Sequence, residues 1–179
     1  PNALDRLMAL MRLKSISTDP AFKSDCDQAA DWLVEDLTGL GFDASKRKTP
    51  GHPMVLAHAD GPGPHLMFYG HYDVQPVDPL NLWHTPPFEP AIEDTCQGKV
   101  IRGRGAADDK GQVFMHIKAV EAHIRKAGGL PLNIRFIIEG EEEVGSGNLD
   151  DFVRAHKQDL AADVVVISDS PMFDRGIPS

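Results

Sequence analysis

Cysteine, basic residues and long apolar runs are all scarce in this sequence, and each scarcity excludes a class of protein. Only two cysteines occur among 179 residues, Cys26 and Cys96, too few for a secreted disulfide framework and wrongly spaced for a zinc knuckle. Reduced thiols in a cytoplasmic protein are the expectation. Lys and Arg number 18 against 27 Asp and Glu, a formal net charge of -9. A phosphate backbone would meet net repulsion, and no basic cluster offsets it, so nucleic acid is not an expected partner. No apolar stretch reaches the roughly 18 residues of a membrane span, and the amphipathic start PNALDRLMALMRLKSI lacks a signal-peptide core, so no membrane partner is expected either. What is present, 41% hydrophobic and 25% charged residues, suits one ordinary globular domain able to bury a sizeable core.

Periodicity gives the order of elements. Leu4, Leu7, Met8 and Met11 recur at helical spacing between Asn2 and about Lys14, and their methionines read as core filler. After the loop SISTDPAF, a second helix carries Cys26, Ala30, Leu33, Leu37 and Leu40, with Gly41 offering a left-handed cap. Short strands are expected at Gly41 to Lys48, Met54 to His58 and Leu66 to Tyr69. The segment from Tyr72 to Ala107 has five prolines and no clear periodicity, and loops this long inside a compact domain are usually functional. A third helix follows GRGAADDKGQ, with Asp108 or Asp109 as its cap, and runs to about Lys126. Its His116 and His123 lie seven apart with no carboxylate or thiol four residues from either, so they read as structural. A strand over Leu132 to Ile138, a helix over Asn148 to His156 and the strand VVVI follow; VVVI has the composition of a strand buried on both faces. The closing PMFDRGIPS reads as the start of a crossing segment. The expected fold class is α/β, a mostly parallel, mixed central sheet sandwiched between helices.

Three of these strands end in polar clusters. The run HLMFYG delivers His71 and Asp73, the next strand ends in EGEEEVGS from Glu139, and the last ends at Asp169. Asp108 enters from the glycine loop. In extended chain His71 and Asp73 point to the same side, and a carboxylate beside an imidazole fixes its tautomer and raises its basicity as a metal ligand. Each cluster alone reads as a turn, a helix cap or a solvated acidic face. Together, if the strands are parallel neighbours, they place several carboxylates in one crevice, where a raised pKa or a bound cation is the usual remedy. Histidine and carboxylates without thiolates suit a catalytic zinc or a pair of divalent ions. A phosphate cradle is excluded: Lys110-Gly111 is reversed from a phosphate-binding loop, no Ser or Thr follows, and two acids at that helix start would repel the ligand. No nucleophile elbow is present.

The motifs GHYDVQP from Gly70, GRGAADDKG from Gly103, EGEEEVGS and ISDS, in this order, resemble the di-zinc peptidases and deacylases that include carboxypeptidase G, aminoacylase, succinyl-diaminopimelate desuccinylase and carnosinase-like dipeptidases. The Gln75-Pro76 ending and WHTPPFEP look most like the dipeptidase branch. The resemblance implies two zinc ions (Zn2+, with Mn2+ or Co2+ able to substitute). His71 and Asp169 would hold one, Glu143 the other, and Asp108 would bridge both. Asp73 would orient His71 and Glu142 would act as general base; Glu141-Glu142 is the alternative pair, less favoured by its distance from Gly145-Ser146. The implied substrate is a dipeptide or, in a deacylase, an N-acyl amino acid. Family members are typically far longer, so the resemblance implies that residues 1–179 are the N-terminal portion of a catalytic domain. A lid and dimerisation domain, through which the parent would form a homodimer, and a final zinc histidine would lie beyond it. Alone, such a portion would bind metal without catalysis.

Overall fold

The computed structural model describes residues 2–96, 98–171, 174 and 177. Two helices, α1 (Ala3–Met11) and α2 (Lys23–Gly39), precede strands β1 (Asp43–Arg47), β2 (Met54–Ala59) and β3 (His65–His71). Asn2 caps α1 through a reciprocal pair of bonds with Asp5. Helix α2 ends in a Schellman turn, in which Gly41 at φ 93° lets its N–H reach Thr38 O while Phe42 N–H reaches Leu37 O. The expected cap at Gly41 is thus observed.

Residues 72–107 are more regular than their prolines suggest. They hold a separate hairpin of β4 (Ala91–Thr95) and β5 (Gly98–Arg102). Short, half-exposed strands such as AIEDT carry too little alternation to stand out. Helix α3 (Lys110–Ala127), β6 (Asn133–Glu139), α4 (Leu149–Ala155) and β7 (Val164–Ile167) complete the order. Beyond Pro171 only Asp174 and Ile177 are described, so most of the proposed crossing segment lies outside the described residues.

The main sheet has the order β1-β2-β6-β3-β7. β3 is parallel to β6 and β7, and β2 runs antiparallel to both β6 and β1. All strands of this sheet except β2 therefore point the same way, and the expected mixed, mostly parallel sheet is observed. Helices α1 to α3 cover one face, packing Leu10, Leu33, Leu37, Val113 and Ile117 against Val55, Phe136 and Ile138. On the other face Phe152 of α4 and Leu160 pack on Met54, Leu56 and Ile137. Arg6 of α1 joins the helices by pairing with Asp36 of α2 and the buried Glu121 of α3.

One expectation is not met among the described residues. There β7 lies at the sheet edge, with Val164 55% and Ile167 64% exposed. Its composition suits burial on both faces, but among the described residues only β3 pairs with it. No described helix is long and apolar enough to cross a membrane.

The parallel register decides where the strand ends lie. His71 is opposite Glu139 and Tyr69 opposite Ile167, so Asp169, two residues past Ile167, comes level with His71. Gly70 is needed at this edge, because a Cβ there would overlap Val113 Cγ2 and Asp109 Oδ2. Val113 is β-branched and helical, so it has little freedom to yield. Gly70→Ala is expected to lower unfolding stability by about 1–3 kcal/mol, measured by urea denaturation; an unchanged midpoint would show that α3 shifts freely against β3.

Candidate metal centre

His71 is fully buried at the end of β3. Its Nδ1 faces Asp73, 3.1 Å from the main-chain oxygen and 3.3 Å from Oδ1. Its Nε2 faces a ring of carboxylates: Asp108 Oδ1 at 3.1 Å, Asp169 Oδ2 at 3.4 Å and Glu142 Oε2 at 3.9 Å. Burial alone would lower the imidazole pKa, but the bond to Asp73 and the charges of Asp73, Asp109 and Asp169 push it up to about 10.

Asp73 is equally buried and its carboxylate is saturated. Oδ2 accepts from Ser17 Oγ at 2.6 Å and from Glu143 N–H at 3.1 Å, and Oδ1 accepts from Glu142 N–H at 3.2 Å. Ser17 reaches it because residues 15–17 run parallel to the chain after β3: Ile16 bridges Val74, Val74 N–H donates to Ser15 O, and Ser15 Oγ donates to Tyr72 O. Glu142 and Glu143 open a single 3-10 turn, Glu142–Val144, that follows β6. Gln75 Nε2 then fixes Glu143 Oε2 at 2.6 Å.

The loop before α3 behaves differently from a helix cap. Asp109 occupies the cap position but makes no capping bond. Its Oδ2 instead accepts the His71 main-chain N–H at 3.0 Å, and its buried Oδ1 has no hydrogen-bond partner among the described residues. Burial pushes this carboxyl up to about 7, against the opposing bond and charge of His71. Lys110, fully buried, donates from Nζ to Leu13 O at 2.6 Å and Leu10 O at 3.3 Å, locking the start of α3 to the end of α1. Asp108, 57% exposed, is left free to face His71 Nε2.

The sequence-derived candidates His71, Asp73, Asp108, Glu142, Glu143 and Asp169 are therefore all brought to one edge of the sheet. Donor atoms of His71, Asp108 and Asp169 lie within 4.8 Å of one another, as do those of His71, Glu142 and Glu143. One imidazole and several carboxylates without thiolate fit a zinc-type divalent ion. Glu141 turns away to accept from Asn148 Nδ2 at 2.7 Å, so the pair facing His71 is Glu142-Glu143. Sequence reasoning missed Ser17 and the use of Asp109 as an acceptor. Ser17 stands 56 residues from Asp73, and no spacing rule connects them.

Residues 67–178 match the family model described as Peptidase family M20/M25/M40. The chain belongs to this family. Among its relatives, the Cys-Gly metallodipeptidase dug1 of Schizosaccharomyces pombe is 34% identical over 92% of the chain and 37% of its own length. The M20 family metallo-carboxypeptidase Sso-CP2 from Sulfolobus solfataricus superposes with a TM-score of 0.87 at 35% identity, covering 98% of the chain and 39% of Sso-CP2. Human carnosine dipeptidase 1 gives 0.83 at 31% identity, over 94% and 38%. The chain thus spans less than two-fifths of the length of these three proteins.

The pairing of His71 with Asp73 sets a pH dependence in the metal-free protein. A group whose pKa is raised on folding contributes stability that is complete below its unfolded value, about 6.5, and is lost as pH rises through about 10. Asp73→Asn removes the carboxylate that opposes burial. Imidazole NMR is expected to show the His71 pKa falling in Asp73→Asn. The stability gap between wild type and mutant should be wider at pH 6 than at pH 10 in urea titrations. A gap independent of pH would mean that Asp73 acts on His71 by shape alone.

Proposed function

We propose that the complete protein is a metal-dependent hydrolase of dipeptides or similarly short amides, and that this chain supplies most of its reactive residues. The convergence of Asp108, Asp169, Glu142 and Glu143 on His71 Nε2 carries this reading. His71, Asp108 and Asp169 would hold one zinc ion, and Asp108 with Glu143 would contribute to a second. A bound zinc would supply Lewis acidity, lowering the pKa of water and polarising the substrate carbonyl. Glu142 takes a proton from the attacking water and returns it to the leaving amine. Asp73 holds the base in place through the Glu142 N–H and holds the His71 ring through Nδ1. Gln75 orients Glu143.

The dipeptide preference rests on the relatives named as dipeptidases and on segment 83–90. Two unpaired thiols, buried Cys26 and exposed Cys96, favour the cytoplasm. Dimerisation, lid contacts and the remaining ligand of the second ion belong, in this reading, to parts of the protein outside residues 1–179. The 179 residues by themselves should bind metal without turnover.

Isothermal titration with zinc and dipeptide assays test the reading together. The chain is expected to bind about one equivalent of zinc through His71, Asp108 and Asp169, since both donor groups share the one His71 imidazole, and Asp108→Ala should abolish that uptake. In the full-length protein, Glu142→Gln is expected to keep the metal and lower kcat by about 100- to 10,000-fold. Undiminished turnover in Glu142→Gln, or equal zinc uptake by Asp108→Ala, would overturn the assignments. Hydrolysis of N-acetyl amino acids with no hydrolysis of dipeptides would replace the dipeptidase reading by a deacylase.

A further inference from the structure

We propose that His116 and Ser168 form a positioning pair that holds Asp169 against His71, an inference that rests on the metal-site reading above. Asp169 needs such a device because the sheet does not supply one. The pairing of β7 with β3 stops at Ile167, among the described residues β7 is an exposed edge strand, and segments with few buried contacts open readily. Asp169 lies two residues past the end of that ladder, yet its Oδ2 stands 3.4 Å from His71 Nε2.

The tether comes from α3. His116 Nε2 lies 2.6 Å from Ser168 Oγ, immediately before Asp169. Its ring is stacked on Phe68 of β3 with centroids 4.6 Å apart, and Phe68 in turn stacks on Phe136 of β6. The imidazole is therefore held on the core and cannot follow a wandering loop. Burial lowers its pKa. Ser170 N–H also donates to Ser168 O at 2.8 Å, curling the chain around Asp169.

Helix α3 begins directly after Asp108-Asp109, and His116 lies six residues, about 9 Å, along its axis from Lys110. One helix thus fixes two of the proposed ligands: Asp108 at its entrance, and Asp169 through the His116 side chain. Such outer partners of a metal ligand commonly alter affinity by about 10- to 100-fold. His116 Nε2 meets Ser168 Oγ and belongs to neither donor group around His71, so the role proposed for it is positioning.

Three substitutions separate this role from plain packing. His116→Phe keeps the stack on Phe68 and loses the bond. Ser168→Ala loses only the hydroxyl. His116→Gln places an amide nitrogen or oxygen near the former Nε2 position and should restore the bond. In the metal-free chain, hydrogen exchange at residues 168–170 is expected to quicken about tenfold in His116→Phe and Ser168→Ala, with β3 and β6 unchanged. Zinc affinity should fall about tenfold or more in both, fall no further in the double variant, and recover in His116→Gln. Unchanged exchange at residues 168–170 in both single variants would overturn the proposal. So would losses of affinity that add in the double variant. If the wild-type chain takes up no zinc, the metal reading has failed, and the exchange measurement still decides whether the pair holds the turn.

Discussion

A single buried carboxylate, that of Asp73, ties three segments of the chain together around His71. It faces the imidazole on one side, receives the Ser17 hydroxyl on another and accepts two consecutive main-chain N–H groups from Glu142 and Glu143. A buried charge is costly unless its lone pairs are filled, and here every partner that fills them also positions a candidate functional group or the strap at residues 15–17. The hydrogen bonds that make Asp73 tolerable in the interior are therefore the same ones that shape the site.

Around this hub the sheet sets the geometry. Parallel pairing of β3 with β6 and β7 brings their C-terminal ends to one edge, where ligands gather in open α/β sheets. Helix α3 supplies the remaining side, with Lys110 pinning its first residue to the end of α1. The outcome is one imidazole nitrogen facing several acids, with few cations nearby. Against burial, Asp73, Asp109 and Asp169 raise the His71 pKa and so favour its cationic form in the metal-free protein, and the proposed ion would take over that compensation. This is why metal and proton should compete at His71.

Much of this was legible in the sequence because strands, glycines and acids recur in a fixed order. An apolar run stopped by Gly70 and followed by His71 and Asp73 marks a strand end carrying polar groups, and the same pattern at Glu139 and Asp169 implies a shared edge once the strands are taken as parallel. Family membership is consistent with that reading. Other features depend on contacts between residues remote in sequence. Asp109 reads as a helix cap because its position is right for one, and only the fold shows the His71 N–H taking its oxygen. Ser17 and His116 carry no local signal, since their partners lie 56 and 52 residues away. The apolar VVVI reports hydrophobicity but not which neighbour covers it, so the exposure of β7 had to come from the sheet order.

The claim on which the proposed chemistry depends is that His71 is the single imidazole in a shell of carboxylate oxygens. X-ray absorption at the zinc edge, on zinc-loaded wild type and His71→Ala, tests it most directly. Expected is a first shell of nitrogen and oxygen at about 2.0–2.2 Å, with imidazole scattering from one ring that disappears in His71→Ala. A sulfur shell at about 2.3 Å, or imidazole scattering that survives in His71→Ala, would contradict it by placing the ion on a cysteine or on another histidine.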